Sequence, residues 1–514
     1  MKTSTLPFTL FCLALTGCYD SGDGRETGAE TSGGADDTSG GADAGPTSAS
    51  SDPTNDDAGD AESETGVDMP DPGNAMIRVI HGSPDAPAVD IYVAGTDAPV
   101  ISALEYGEAS DWLEVPAGTY SFEVRAADTA PSDAPVYSTG NLELTDGAMI
   151  DALAAGRLDA QGGDAFRVIP LVEDFDEAGA GQTRVRIVHA GSDAPAVDLD
   201  VGNDGTSEIL ALERFTETGA EGVALPAGES LQLAVNVEGT TFTTFTLPAL
   251  PEGEDIIVIA TGLVQKLPRE TDGFALLAVT ANGSLGFIKQ NPTVYALHAG
   301  PDAPEVDLCA GDTTLVSHIS FGGLESFQVP PGSYDIDAYV APSGCKGTPA
   351  LTDDSGPLQA GERYLVIATG ELGASMGEPP LQLQAYVDRF DVTQPDQGAL
   401  RLVHAASAPE VDVGIVTGDV IENGNVITTG LKWPDESNEL MVPPLTYQIG
   451  IAGAGGSPPI SPLVDFHVPI DGGQREFVVA AGDVFPESTE QHFRLFAVDT
   501  ATSPWQIAAI MPNP

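Results

Sequence analysis

Residues 78–93 read Arg-Val-Ile-His-Gly-Ser-Pro-Asp-Ala-Pro-Ala-Val-Asp-Ile-Tyr-Val, and the centre of this stretch returns three more times along the chain. The recurring unit is a histidine with an aspartate four and nine residues later; the fourth copy is one residue shorter and lacks the first aspartate. Successive histidines lie 108, 109 and 106 residues apart, which is the size of a whole domain. The motif residues are His81, Asp85, Asp90, His189, Asp193, Asp198, His298, Asp302, Asp307, His404 and Asp412.

Two further sequence features recur at corresponding positions in the four copies. A Pro-Ala-Gly or Pro-Pro-Gly turn begins at Pro116, Pro226 and Pro330, and Pro443-Pro444-Leu445 takes its place in the fourth copy. An apolar run later in each copy ends in a glycine: Gly156, Gly262, Gly370 and Gly482. These landmarks predict four tandem repeats, at residues 76–178, 183–289, 292–393 and 398–514.

Within the repeats, the spacing of apolar residues is typical of short strands. Val89, Ile91 and Val93 alternate with Asp90 and Tyr92, which predicts a strand with one apolar face. The continuous apolar run at residues 256–260 predicts a strand buried on both faces. Seven or eight such strands in about 105 residues predict an all-β chain of four immunoglobulin-like β-sandwich domains, with a jelly roll or barrel as the alternative.

The motif also resembles a known family. The stretch Arg78–Val93, followed by Val115-Pro116-Ala117-Gly118-Thr119-Tyr120, is similar to the bacterial domain of unknown function numbered 4397. The resemblance implies four copies over most of residues 76–510 and a sandwich-like fold of the kind found in exported and surface proteins. The family has no assigned activity, so the resemblance implies no catalytic residue.

The N-terminus predicts export and lipid anchoring. Residues 1–18 combine a basic start, a short apolar core and the sequence Leu15-Thr16-Gly17-Cys18, which resembles a bacterial lipobox and implies acylation of Cys18. Residues 19–75 hold 15 acidic residues and one basic residue, so we expect a disordered acidic linker that bears the repeats away from the membrane. The predicted location is the cell membrane or outer membrane, on the surface or in the periplasm.

The overall charge excludes one class of partner. The chain of 514 residues carries 78 acidic and 19 basic residues, a formal net charge of −59. Such a surface repels phosphate backbones, so we expect no nucleic-acid partner. The expected partners are the membrane, through the lipid anchor, and an envelope protein or polysaccharide.

Two cysteines, Cys309 and Cys345, lie in the repeat region, and in an exported protein they predict one disulfide. It closes a loop of about 36 residues, which corresponds to roughly 3 kcal/mol of stabilisation in the chain-entropy model.

The recurring histidine and aspartates have two possible roles, metal binding or a structural role. An imidazole and two carboxylates could bind a metal ion. Alternatively, the histidine ends one strand, Asp-Ala-Pro forms a turn, and the second aspartate begins the next strand. The loss of one aspartate in the fourth repeat favours the structural reading, so we predict no metal site and no cofactor.

An arginine stands three residues before the histidine in three repeats, as Arg78, Arg186 and Arg401, whereas the third repeat has Tyr295. We expect this arginine to pair with the aspartate of the next strand, Asp90, Asp198 or Asp412; a ligand-binding surface is the alternative.

Two other stretches bear on activity. Residues 373–377 spell Gly-x-Ser-x-Gly, but two prolines follow where a nucleophile elbow requires a helix. The acidic loop at residues 198–205 departs from the EF-hand spacing, which leaves weak calcium binding open. We therefore predict a non-enzymatic, surface-displayed lipoprotein that acts as a structural or interaction scaffold. The alternatives are a calcium-dependent adhesion or ligand-binding rod, and an enzyme with a site in one divergent repeat.

Overall fold

The computed structural model describes residues 73–130, 132–376, 378–390, 395–483 and 492–514. The predicted signal peptide, the predicted acylation site Cys18 and nearly all of the predicted linker lie outside these described residues. The described residues form 36 β-strands and one short 3-10 helix, Gly162–Asp164, which confirms the all-β prediction. None of their helices is long and apolar enough to cross a membrane.

The first two repeats hold nineteen strands. Those of repeat 1 are β1 (Asn74–His81), β2 (Val89–Val93), β3 (Ile101–Leu104), β4 (Leu113–Pro116), β5 (Gly118–Tyr120), β6 (Phe122–Ala126), β7 (Tyr137–Ser138), β8 (Leu142–Leu144), β9 (Met149–Ala155) and β10 (Arg167–Val172). Those of repeat 2 are β11 (Gln182–His189), β12 (Val197–Val201), β13 (Ile209–Leu212), β14 (Val223–Pro226), β15 (Leu231–Val237), β16 (Thr240–Leu247), β17 (Asp255–Thr261), β18 (Ala275–Thr280) and β19 (Gly283–Lys289).

The last two repeats hold seventeen strands. Those of repeat 3 are β20 (Thr293–His298), β21 (Val306–Ala310), β22 (Thr313–Ile319), β23 (Leu324–Gln328), β24 (Asp335–Val340), β25 (Leu351–Asp354), β26 (Arg363–Thr369) and β27 (Gln382–Val387). Those of repeat 4 are β28 (Gly398–His404), β29 (Val411–Thr417), β30 (Val420–Leu431), β31 (Leu440–Val442), β32 (Leu445–Gly453), β33 (Val464–Ile470), β34 (Arg475–Ala481), β35 (Arg494–Asp499) and β36 (Gln506–Ile510).

Every repeat is a sandwich of two main sheets with a common four-strand order, and the first sheet has a fifth strand in repeats 2 and 4. The first sheet, which we call the pairing sheet, contains the strand that ends in the motif histidine. Its strand orders are β10-β9-β1-β4, β14-β11-β17-β18-β19, β23-β20-β26-β27 and β31-β28-β34-β35-β36. In each, the histidine strand lies parallel to the strand that ends just before the recurring glycine, as in β1 with β9. The second sheets are β3-β2-β6-β7, β13-β12-β15-β16, β22-β21-β24-β25 and β30-β29-β32-β33, and repeat 1 adds the two-stranded β5-β8.

Each sandwich has its own core, and the pairing sheets form a second layer of cores between repeats. In β17, Ile256 and Val258 point into the core of repeat 2, whereas Ile257 and Ile259 contact repeat 1. The run at residues 256–260 is apolar throughout because both of its faces are covered. The core shared by repeats 1 and 2 consists of Ile80, Leu153, Ala155, Leu171, Val188, Ala190, Ile257, Ile259, Leu277 and Val279.

Repeats 3 and 4 pack in the same way. Their shared core contains Leu297, Leu365 and Ile367 of repeat 3 against Phe477 and Phe496 of repeat 4, all buried. The four repeats are therefore joined as two pairs, 1 with 2 and 3 with 4, through the faces of their pairing sheets. This face-to-face pairing is a feature that the repeat pattern did not predict.

Candidate functional site

The four motif histidines are buried and hold the turn that follows them. Each ring Nε2 lies 2.8–3.0 Å from the carbonyl oxygen of the motif proline, which can only accept, so Nε2 carries the proton. Burial lowers the pKa of all four rings below the ordinary value, so they are neutral at pH 7. The four rings are His81, His189, His298 and His404.

The first motif aspartate ties the turn to the loop after the recurring glycine. Asp85 accepts the backbone N–H groups of Leu158 and Asp159, both at 3.0 Å. Asp193 and Asp302 accept two N–H groups each from the same loop of their own repeats. In repeat 4, which lacks this aspartate, the loop is joined instead by a β-bridge between Ser407 and Asp483.

The second motif aspartate supports a residue with left-handed backbone in the neighbouring strand. The supported residues are Ala103, Ala211, His318 and Gly430, with φ between 51° and 61°. Their N–H groups lie 2.7–3.0 Å from the carboxylates of Asp90, Asp198, Asp307 and Asp412. For an alanine or histidine this backbone is costly, and the hydrogen bond helps to hold it.

The three recurring groups therefore serve three separate backbone segments. In the part of the chain that the structure describes, no cluster of three or more His, Cys, Asp or Glu residues is placed to hold a metal ion. The contacts favour the structural reading of the motif and account for the residue type at each position.

The recurring arginine has different partners from those expected. Arg78 lies next to Asp151 in the parallel register of β1 and β9, and its Nε donates to that carboxylate at 2.6 Å. Arg186 pairs with Glu217, and Arg401 pairs with Glu436. The expected aspartates lie in the second sheet, whereas alternation along the strand turns the arginine away from it, toward the paired repeat.

These arginines cross between the paired repeats. Arg78 donates to the carbonyl of Thr280 at the end of β18, and Arg186 donates to the carbonyl of Val172 at the end of β10, so the contact is reciprocal. In the second pair, Arg401 donates to the carbonyl of Val387 at 2.9 Å. The tyrosine that replaces the arginine in repeat 3, Tyr295, stacks on Trp505 of repeat 4, with ring centroids 4.0 Å apart.

Cys309 and Cys345 form a disulfide that joins the buried strand β21 to the loop after β24. The bond spans 36 residues of repeat 3, and Cys309 is fully buried.

The two stretches considered for activity are turns. Asp200 accepts the N–H groups of Asp204 and Gly205 within the acidic loop, at 3.1 and 2.8 Å. The Asp200 carboxylate therefore already accepts hydrogen bonds within the loop. Calcium binding there stays a prediction, which is tested by comparing the melting temperature with calcium and with a chelator. In the Gly-x-Ser-x-Gly stretch, the backbone N–H of Ser375 donates to the carboxylate of Glu378. Residue 377 of this stretch lies outside the described residues.

Repeat 4 contains an apolar cavity of about 440 Å³ between its two sheets. Leu402, Val413, Ile449, Val478 and Leu495 line it, and His404 and Glu410 are among its polar residues. The corresponding space in repeat 1 measures about 30 Å³. The repeats share one topology, so this space distinguishes repeat 4 from repeat 1, and sequence periodicity gave no signal for it.

A second, polar cavity of about 910 Å³ lies where repeats 2, 3 and 4 meet. Hydroxyl and amide side chains line much of it, together with Lys266, Arg363 and Arg475. The repeats that form it are connected by further contacts: the side chain of Gln328 accepts the N–H of Thr244 at 2.8 Å.

Two regions of the chain match one domain family. That family is DUF4397, a domain of unknown function, and the matched residues are 75–200 and 292–414. Each DUF4397 match covers the first repeat of a pair and reaches the second strand of the next repeat, β12 or β29. The two matches are consistent with repeated copies of the DUF4397 domain.

The other comparisons are less informative. A solved structure, the Bacillus anthracis TIE protein, is similar to 80% of this chain over 68% of its own length, with 11% identity and a TM-score of 0.14. This TM-score is too low to indicate a shared fold. No curated protein matches the chain.

Proposed function

We propose that this protein is a non-enzymatic, lipid-anchored scaffold displayed at the bacterial cell envelope. The observation that carries the proposal is the pairing of the repeats: buried pairing sheets join them two by two, and at least one arginine crosses between the repeats of each pair. The motif residues are engaged in hydrogen bonds within their own repeats, which suits a structural module. The lipobox-like Leu15-Thr16-Gly17-Cys18 and the acidic linker supply the anchor and the tether.

The anchor is tested by metabolic labelling with an alkyne fatty acid in a bacterium that expresses the full chain. We expect label on the chain and recovery in the membrane fraction, both abolished by Cys18→Ser. Cys12→Ser is the matched control and should leave labelling unchanged. Label that persists in Cys18→Ser, or is absent from the parent chain, would contradict the proposal.

A second candidate function, binding of an apolar ligand, is favoured by the cavity in repeat 4. Its volume of about 440 Å³ falls within the range of small-molecule pockets, and its lining is mainly aliphatic. Titration with lauric acid, followed by calorimetry, should show saturable binding that Ala480→Leu weakens by filling the space. Equal binding to both chains would exclude this cavity as the site.

A further inference from the structure

The polar cavity has an unusual charge for this chain. The whole sequence has 78 acidic and 19 basic residues, yet none of the described residues that line the cavity is acidic and three are basic. The remaining polar lining consists of neutral hydrogen-bonding groups, among them Asn203, Thr240, Thr241, Gln290, Ser326 and Gln328. A concave space with this lining attracts an anion.

Two of the basic residues occupy equivalent positions in repeats 3 and 4. Arg363 begins β26 and Arg475 begins β34. The backbone N–H of Asp388 donates to the carbonyl of Arg363 at 2.8 Å, and that of Thr500 donates to the carbonyl of Arg475 at 2.7 Å. Asp388 and Thr500 are therefore equivalent as well.

The two arginines differ in their partners. Arg363 donates through Nε at 3.0 Å and through Nη2 to the buried carboxylate of Asp388. Arg475 has a threonine at the position of that carboxylate, and among the described residues its side chain donates only to the carbonyl of Thr500, at 3.4 Å. Arg475 is 8% exposed, and its Nε has no hydrogen-bond partner among the described residues.

Further buried donors around Arg475 are also unpaired. The hydroxyl of Thr500 and Nε1 of Trp505 lack partners in the described part of the chain, and the residues are 0% and 4% exposed. The guanidinium carbon of Arg363 lies 5.2 Å from the centroid of the Trp505 ring. The same guanidinium donates a hydrogen bond to the carbonyl of Thr500 at 2.9 Å. Buried donors without acceptors are costly, and because Arg475 itself lines the cavity, an oxyanion bound there would supply an acceptor for its guanidinium.

The positive charge here exceeds the negative charge. Arg269 of repeat 2 donates to the backbone carbonyls of Asp388 and Phe390, so three arginines lie close to two carboxylates, those of Asp388 and Glu270. Burial lowers the pKa of Arg475; Asp388 and Glu270 raise it, whereas Arg363 and Arg269 lower it further. A bound anion would relieve this repulsion.

We propose that the cavity between repeats 2, 3 and 4 binds an acidic sugar, with its carboxylate or sulfate group on Arg475. Guanidinium groups bind such oxyanions through paired hydrogen bonds, and the hydroxyl and amide side chains suit the hydroxyls of a sugar. Phe242, 49% exposed, lines the cavity and offers an apolar face to a sugar ring. The inference goes beyond the proposed scaffold function and does not depend on where the chain is displayed.

Calorimetric titration of the purified full chain tests the proposal. The probes are trigalacturonate, a 4-sulfated chondroitin disaccharide, neutral maltotriose and sodium sulfate. We expect at least one acidic sugar to bind with a sub-millimolar Kd, and maltotriose and sodium sulfate to bind at least tenfold more weakly. The carboxylated and sulfated probes identify which oxyanion the site prefers. Absence of binding by both acidic sugars, or equally tight binding of sodium sulfate, overturns the proposal.

Two variants locate the site. Arg475→Gln should weaken binding at least tenfold, whereas Arg157→Gln, which removes an exposed ion pair in repeat 1, should not change it. Thr500→Asp rebuilds in repeat 4 the pair that Arg363 makes with Asp388, so it should raise the melting temperature and abolish binding. Acidic-sugar binding that survives Thr500→Asp overturns the proposal even if Arg475→Gln does not fold.

Discussion

At the scale of single residues, the motif aspartates show how one carboxylate can maintain a costly backbone conformation. Asp307 is 2% exposed and accepts the N–H groups of His318 and Gly344, at 3.0 and 2.9 Å. These hydrogen bonds, first from Gly344 and then from His318, hold the pKa of Asp307 below its ordinary value. The aspartate was recognisable from the repeats, but its two donors lie 11 and 37 residues away and only the fold brings them together.

Asp307→Ala tests this role. Losing a charged acceptor from two backbone donors should lower the free energy of unfolding of repeat 3 by about 1.5–3 kcal/mol near neutral pH. Since the folded pKa is depressed, the contribution of Asp307 is present above the unfolded pKa and is lost as pH falls through the folded pKa. Hydrogen exchange of repeat 3 amides measures the effect, and the exposed Asp312→Ala is the control, expected to change little. Equal effects of both substitutions would contradict the assigned role.

At the scale of strands and sheets, the recurring arginine shows that one position can be served by different partners. Glu217 and Glu436 form equivalent β-bridges with Val188 and Val403, whereas the corresponding bridge in repeat 1 involves Ala109. In repeat 1 the carboxylate beside the arginine comes instead from Asp151, which lies opposite Arg78 on the neighbouring strand β9. Each solution keeps a charged arginine buried beside a carboxylate, as burial of the charge requires.

Arg186→Leu should loosen the contact between β11 and β10. Arg186 is 2% exposed and donates to both Glu217 and the Val172 carbonyl, so its loss should cost about 2 kcal/mol of stability in repeats 1 and 2. Urea denaturation followed by circular dichroism measures this loss. Arg157→Leu, which removes an exposed pair, should stay within about 0.5 kcal/mol of the parent. If Arg186→Leu lost no more stability than Arg157→Leu, the contact that Arg186 makes across the two repeats would contribute little.

At the scale of the whole molecule, pairing makes the repeats mutually dependent. The outward faces of the pairing sheets carry the apolar side chains of the cores shared between repeats, and a single repeat would leave them in water. Removing such a face from its partner exposes fully buried side chains, each worth about 1.5–3 kcal/mol. The stability of one repeat in a pair should therefore depend on the outward side chains of the other.

Two substitutions of similar size on opposite faces of one sheet test this coupling. Leu153→Ala shortens an outward side chain of β9 in the core shared with repeat 2, whereas Ile77→Ala shortens an inward side chain of β1 in the core of repeat 1. Both should destabilise repeat 1 by about 2–5 kcal/mol. Hydrogen exchange should show that Leu153→Ala also exposes β17 and β18 of repeat 2 directly, with a larger loss of protection there than Ile77→Ala causes. The same loss in repeat 2 for both variants would argue against a specific shared core.

The sequence by itself determined the repeats, the all-β class and the alternation that places Val89 and Ile91 on one face of a strand. These features are local or repeated, and the side-chain period of two follows from backbone geometry alone. The tertiary structure decided which surface covers the other face: Ile257 meets repeat 1, Arg78 pairs with Asp151 instead of Asp90, and Arg475 faces a threonine where Arg363 has a carboxylate. Such contacts join residues far apart in the chain, and their partners depend on how whole sheets pack, which no local pattern of residues specifies.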